Sequence, residues 1–323
     1  MNSSASATPI AATDAGPNHA AATRAAAVHR GFAFGLLGVA LFALTIPMTR
    51  LASGSLSAPQ LSPWFVAFGR AALAGCLALL YLLAVRAPWP STAQWRWLAW
   101  TALGVVFGFP VFMGLAVQRV DAVHASVVTG ILPLVTAVFG AWLLGQRQRP
   151  SFWGFAVLGM ALVVAFAWWR GGAAPQLADG LLALALLLGA LGYVWGARLS
   201  ASMRPEHVIS WVLVLSLPIT LPLAWSTRPL VPVQSASWLG FGYVALFSMW
   251  LGFFAWYRGL ALGGTVRVSQ VQLLQPFLSI LAAVPILDER IDAATGLFLL
   301  AVMAVVFASR RAAGAAPMKG SEA

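Results

Sequence analysis

The sequence is short of charge. Asp, Glu, Lys and Arg together make up 8% of its 323 residues, where a water-soluble domain needs about a quarter to solvate its exterior. Acidic residues are scarcest, eight in all. None lies deep inside an apolar run, which argues against a carboxylate relay buried in the membrane. The single cysteine, Cys76, sits within an apolar stretch, so no internal disulfide can form. The chain also lacks a GxxxxGK[ST] loop, an HExxH motif and paired aspartates within apolar segments. Nucleotide-driven pumping and intramembrane hydrolysis are thereby disfavoured, and the reading is of a non-enzyme with no catalytic residue, metal or cofactor.

What the chain has is apolar surface. It is 61% hydrophobic, with a mean hydropathy of +0.87. At about 20 residues per crossing, ten helices use roughly 200 residues and leave short connections. The expected fold class is an all-α polytopic membrane protein. The net charge of +11 would usually suggest nucleic acid as a partner. Here the basic residues punctuate apolar runs instead of sharing one face, which fits orientation in a bilayer and excludes nucleic acid. Lipid and a small-molecule substrate are the expected partners. The oligomeric state stays open, a homodimer among the options.

Apolar length and turn punctuation predict spans near 31–50, 63–85, 96–117, 122–144, 152–169, 178–199, 207–226, 237–257, 268–287 and 292–309. Residues 1–29, rich in Ala, Ser and Thr, read as a disordered tail, and 311–323 as a second tail. The first apolar run is too long for a signal peptide and ends at Pro47-Met48-Thr49-Arg50, so it reads as an uncleaved span. With the amino terminus in the cytoplasm, thirteen of the 19 basic residues fall on the inner side and five on the outer, Arg70 alone lying within a span. Both termini are then cytoplasmic. Asp121, Asp179, Asp288, Glu289 and Asp292 fall mainly outside.

The two halves echo each other. Ser126, Thr129, Pro133 and Thr136 match Ser269, Gln272, Pro276 and Ser279 at a constant offset of 143. Five spans per copy is an odd number, so the second copy (177–310) enters the membrane opposite to the first (30–170). Inverted repeats of this kind place a substrate site near mid-membrane, where the copies meet.

The stretch HASVVTGILPLVTAVFGAWLLGQR, its echo LLQPFLSILAAVPILDER and the five-plus-five layout resemble the EamA type of the drug/metabolite transporter superfamily. The likeness runs from Gly31 to Arg311. It implies an inner-membrane carrier, often an exporter of amino acids or related metabolites. The family commonly closes both the fourth and ninth spans with Gly-Glu. Here the ninth has Asp288-Glu289 and the fourth has Gly145-Gln146.

Candidate substrate contacts follow from polar residues in apolar surroundings. Ser126 and Thr129 lie a turn apart on one face, and Gln272 and Gln275 each bring a long amide into hydrocarbon, where up to four hydrogen bonds need partners. Small hydroxyls equally serve helix contacts. Arg70, about 10 Å from its helix end by helical rise, is suited to a substrate carboxylate, to snorkelling or to a structural contact with a carbonyl. His124 opens the fourth span, where an interfacial, solvated imidazole is expected. Tyr243, Phe247, Trp250, Phe254 and Tyr257 form one aromatic stripe at helical spacing, of which Tyr243 and Trp250 are candidate contacts. Pro47, Pro133 and Pro276 are candidate helix breaks and gates, because each removes the donor for a carbonyl one turn earlier. The expected function is a secondary transporter of small metabolites such as amino acids, working by alternating access, with a non-transporting assembly or sensor protein as the alternative.

Overall fold

A computed structural model describes residues 17–143, 149–170, 176–200, 202–263 and 269–313. Expected features at Gly145-Gln146, Arg147, Gly171-Gly172, Gly264, Arg267 and Lys319 lie outside the described residues. Among the described residues, eight helices are long and apolar enough to cross a membrane: α1 (Ala26–Ser53), α2 (Pro63–Ala84), α3 (Thr92–Val117), α4 (Ala122–Leu143), α5 (Pro150–Arg170), α6 (Leu177–Leu199), α7 (Pro205–Ser226) and α8 (Ser235–Gly259). Two shorter apolar helices, α9 (Val271–Leu287) and α10 (Ala293–Ser309), complete ten. Each matches a span predicted above. The backbone of α1 is helical back to Pro17, so helix replaces part of the tail expected over 1–29. Among the described residues there is no strand, only an isolated bridge between Gly54 and Pro59.

Lipid is written on the outside of the bundle. Val157 is 71% exposed and Leu297 69%, and in water such apolar helix faces would drive aggregation. Trp64, Trp153, Trp168, Trp169 and Trp238 stand exposed near helix ends, as an interfacial belt requires.

Helix pairing obeys a pseudo-twofold. The helix pairs α2–α7, α4–α9 and α5–α10, each joining equivalent helices of the two halves, pack together. The pair α1–α8 has its counterpart in α6–α3. Five crossings reverse the chain's sense, so the two five-helix units run in opposite directions through the bundle. Both exchanged pairs are close because glycines remove the side chains between them. A Cβ on Gly38 of α1 would stand 2.9 Å from the Trp256 backbone of α8, and one on Gly192 of α6 would stand 2.7 Å from Val105 Cγ2 of α3. Gly192→Leu is therefore expected to force α3 from α6 at a cost of roughly 1–3 kcal/mol or more, read as a lower melting temperature of the purified protein in detergent.

Among the described residues, three of these helices break within their length. In α1 the helix is interrupted at Leu44, three residues before Pro47. In α4 it stops at Thr129 and restarts at Leu132, just before Pro133. In α9 a 3-10 turn, Ser269–Leu274, gives way to α-helix at Gln275, just before Pro276. Lacking an N–H, these prolines cannot pair with the carbonyls of Ala43, Thr129 and Gln272. Unpaired carbonyls are tolerated at membrane depth only against protein partners or a polar cavity. The breaks in α4 and α9 face each other, a Cβ on Gly130 lying 3.7 Å from Pro276 Cγ.

Candidate substrate site

All three breaks border one narrow cavity of about 40 Å³ at the centre of the bundle. Its walls come from α1 (Phe42, Thr45, Ile46), α2 (Arg70), α3 (Val105, Phe109), α4 (Thr129, Leu132), α6 (Gly189, Tyr193), α8 (Ser248, Met249, Phe253) and α9 (Gln275). A second, smaller space of about 20 Å³ adjoins it, sharing Ile46, Thr129, Leu132 and Gln275 and adding Gln272, Pro133, Pro276 and Ser279. Both halves of the chain thus contribute to one hollow.

Arg70 decides its electrostatics. The residue is 4% exposed, and its Nε has no hydrogen-bond partner. Among the described residues no carboxylate forms an ion pair with it, and no Asp or Glu lines either space. The snorkelling alternative does not apply. A buried cation left without a counter-charge costs several kcal/mol, and its fork of donors suits a planar carboxylate. Tyr193 brings its phenol to the same cavity.

The remaining polar lining is neutral. Thr45 Oγ1 and Ser248 Oγ share a hydrogen bond of 2.8 Å between α1 and α8. Thr129 Oγ1 donates to the Ala125 carbonyl at 2.8 Å, leaving its oxygen free to accept. Phe42, Phe109 and Phe253 supply apolar walls, with Phe42 and Phe253 in an edge-to-face pair 5.0 Å apart.

The other sequence candidates lie elsewhere. Ser126 is fully buried, its hydroxyl sharing a 2.8 Å hydrogen bond with Ser279 and donating to the Ala122 carbonyl. Tyr243 donates to the Leu41 carbonyl at 3.0 Å, and Trp250 donates to Ser210 Oγ at 3.1 Å; neither lines the cavity. In this region α8 is π-helical over Val244–Leu251. Ser248 and Met249 of that stretch, with Phe253 beyond it, face the cavity in place of the expected stripe. Equivalent α3 carries a π-helical stretch too, Leu103–Gly108. Pro47 is buried in α1 beside the cavity wall.

One end of the bundle gathers the acids. His124, expected to be solvated, is 5% exposed and pairs with Asp179 of α6 at 2.9 Å. Arg170 Nη1 reaches Asp292 at 3.0 Å, with Asp121 at 3.8 Å. Glu289 accepts from the backbone N–H groups of Ala122 and Val123, both at 2.8 Å. Burial pushes the Glu289 carboxyl above its usual range, while those two donors and Arg50 pull it back.

Two broken helices meeting at a central cavity are the geometry of a carrier, and the sequence profile of the EamA-like transporter family matches residues 29–175 and again 176–310. The chain belongs to the EamA-like transporter family. It is a multi-pass membrane transporter with a small-molecule substrate. The Bacillus subtilis (strain 168) protein called "Uncharacterized transporter YdeK" is 43% identical over 283 residues, 87% of this EamA-family chain and 97% of the relative. The protein called "Aromatic amino acid exporter YddG", from Ancylobacter novellus, is 26% identical over 210 residues, 63% of this chain and 69% of its own. A solved structure described only as "Crystal structure of protein" shares the fold, with a TM-score of 0.56 at 19% identity, covering 88% of this chain and 98% of that one.

Proposed function

We propose that this transporter is a secondary carrier of the bacterial inner membrane, with both termini cytoplasmic, that exports amino acids bearing large apolar side chains. The two repeats, 30–170 and 177–310, rock against each other so that the shared cavity opens alternately to each side. Arg70 clasps the substrate carboxylate. The carbonyls of Thr129 and Gln272, freed by Pro133 and Pro276, together with the Gln275 amide oxygen, accept from the ammonium group. Phe42, Phe109, Phe253 and Tyr193 enclose the side chain.

The observation that carries this reading is Arg70, a buried cation with an unpartnered Nε, no ion pair among the described residues and aromatic surface around it. The absence of an acid from the lining among the described residues disfavours cationic substrates, since Arg70 would repel them uncompensated. The name of the Ancylobacter novellus relative points to the same class. The export direction rests on that relative and on the family.

Binding of tritiated phenylalanine to the purified protein in detergent tests the assignment. Leucine, tyrosine and tryptophan are expected to displace it. Phenethylamine, which lacks the carboxylate, and lysine are expected to be at least about tenfold weaker, as loss of a charged hydrogen-bonded contact implies. Displacement by phenethylamine as strong as by phenylalanine would remove Arg70 from the role given to it.

A further inference from the structure

The helix α4 is both a wall of the cavity, through Thr129, and the seal above it. Thr129 lies seven residues along from the helix start at Ala122, about 10 Å of rise. Over that length α4 and α9 close on each other. Val123, Val127, Ile280 and Ala283 are all at most 4% exposed, and Ser126 and Ser279 are hydrogen-bonded across the contact. The seal therefore shuts the cavity off from the acidic end of the bundle.

At the rim of the seal is a helix terminus served from the other repeat. The first N–H groups of any α-helix lack partners within it and carry the positive end of its dipole. Asp121, at the N-cap position of α4, makes no capping bond with its side chain. Glu289, from the α9–α10 connection, supplies both missing acceptors, one carboxylate oxygen to Ala122 N and the other to Val123 N. A bidentate, charge-assisted contact is among the stronger polar links available at a protein surface. The charged groups around it are Asp121 on α4, Arg50 on α1, and Asp288 and Arg290 beside it in the connection.

We infer that Glu289 is the latch of the gate at the acidic end: a positioning residue that holds α4 against α9 while the cavity is closed to that side and leaves the helix terminus when it opens. This rests on the alternating-access reading above. The latch is breakable within a transport cycle because Glu289 is only partly buried, so release returns its carboxylate to water. By the orientation proposed above, the gate faces the outside.

Site-directed thiol labelling reads the gate without any substrate. In a Cys76→Ser background, Val127→Cys places a smaller, fully buried reporter in the seal. A membrane-impermeant maleimide is added to right-side-out and inverted vesicles. Glu289→Ala is expected to speed labelling of Cys at 127 from the outer side by about tenfold, the scale of losing a charge-assisted cap. Glu289→Gln, whose amide oxygen still accepts one bond, should fall between. Asp288→Asn, which removes the neighbouring charge and no helix cap, should leave the rate unchanged. Should Glu289→Ala unfold in detergent, Glu289→Gln with a native melting temperature carries the comparison. Rates in Glu289→Ala and Glu289→Gln equal to the parent, or an equal acceleration by Asp288→Asn, would overturn the latch. Substrate flux by the same preparations judges the carrier reading separately, since its absence throughout would sink that reading and leave the labelling comparison standing.

Discussion

Arg70→Met is expected to abolish transport while raising the stability of the protein. The two effects have opposite signs for one reason. In the resting protein the guanidinium is buried, makes no ion pair among the described residues and leaves Nε without a partner. Its desolvation is a standing cost, and an apolar side chain of similar length removes it, for a gain on the order of 1 kcal/mol or more. With a carboxylate in the cavity the same group becomes half of a desolvated, bidentate pair. Loss of one partner in such a pair typically costs about 3–5 kcal/mol, or roughly a hundredfold to several thousandfold in transport efficiency. Arg70→Lys retains charge without the fork and should lie between the two, at roughly a tenfold loss. Melting temperature and uptake measured on the same preparations check this. A fall in both would make Arg70 a structural residue.

The second large effect belongs to Gln275, and its contrast with Gln272 is the informative part. Gln275 lines the central cavity and the adjoining space, whereas Gln272 lines only the latter. Gln275→Ala should raise the half-saturating substrate concentration about tenfold, the cost of a buried hydrogen bond left unmade. Gln272→Ala should raise it by only a few-fold, because the part of Gln272 assigned to the substrate is its backbone carbonyl, which alanine keeps. Membrane abundance should be unchanged in both. A larger effect at Gln272 than at Gln275 would place the substrate in the smaller space.

These residues could be picked out of the sequence because each is polar within a run that is otherwise hydrocarbon. The ten helices were legible for the same reason: apolar length and punctuation are local properties, and the bilayer enforces them. The prolines were legible too, since Pro133 and Pro276 repeat at one offset and each removes a donor whatever its surroundings. Other features depend on which helices meet. Thr45 and Ser248 look like ordinary packing hydroxyls until α1 and α8 bring them within 2.8 Å. Phe42, Phe109 and Phe253 are indistinguishable in sequence from lipid-facing phenylalanines. The aromatic stripe of α8 is regular in sequence, yet which face of a helix meets the cavity is set by its neighbours, and here that face carries Ser248, Met249 and Phe253. His124 was placed in solvent because nothing in its own segment announces Asp179, 55 residues away. The contact of Glu289 with the start of α4 spans 167 residues and is likewise a product of how the repeats interlock.

The central claim is that one hollow, shared by two opposed repeats, carries a single substrate from side to side. Counterflow tests it most directly. Proteoliposomes preloaded with unlabelled phenylalanine and diluted into a trace of labelled phenylalanine, with no nucleotide and no imposed ion gradient, should accumulate label transiently above equilibrium. The overshoot should vanish with Arg70→Met. Entry of label that is unaffected by the preload, or that rises without saturation, would contradict an alternating site.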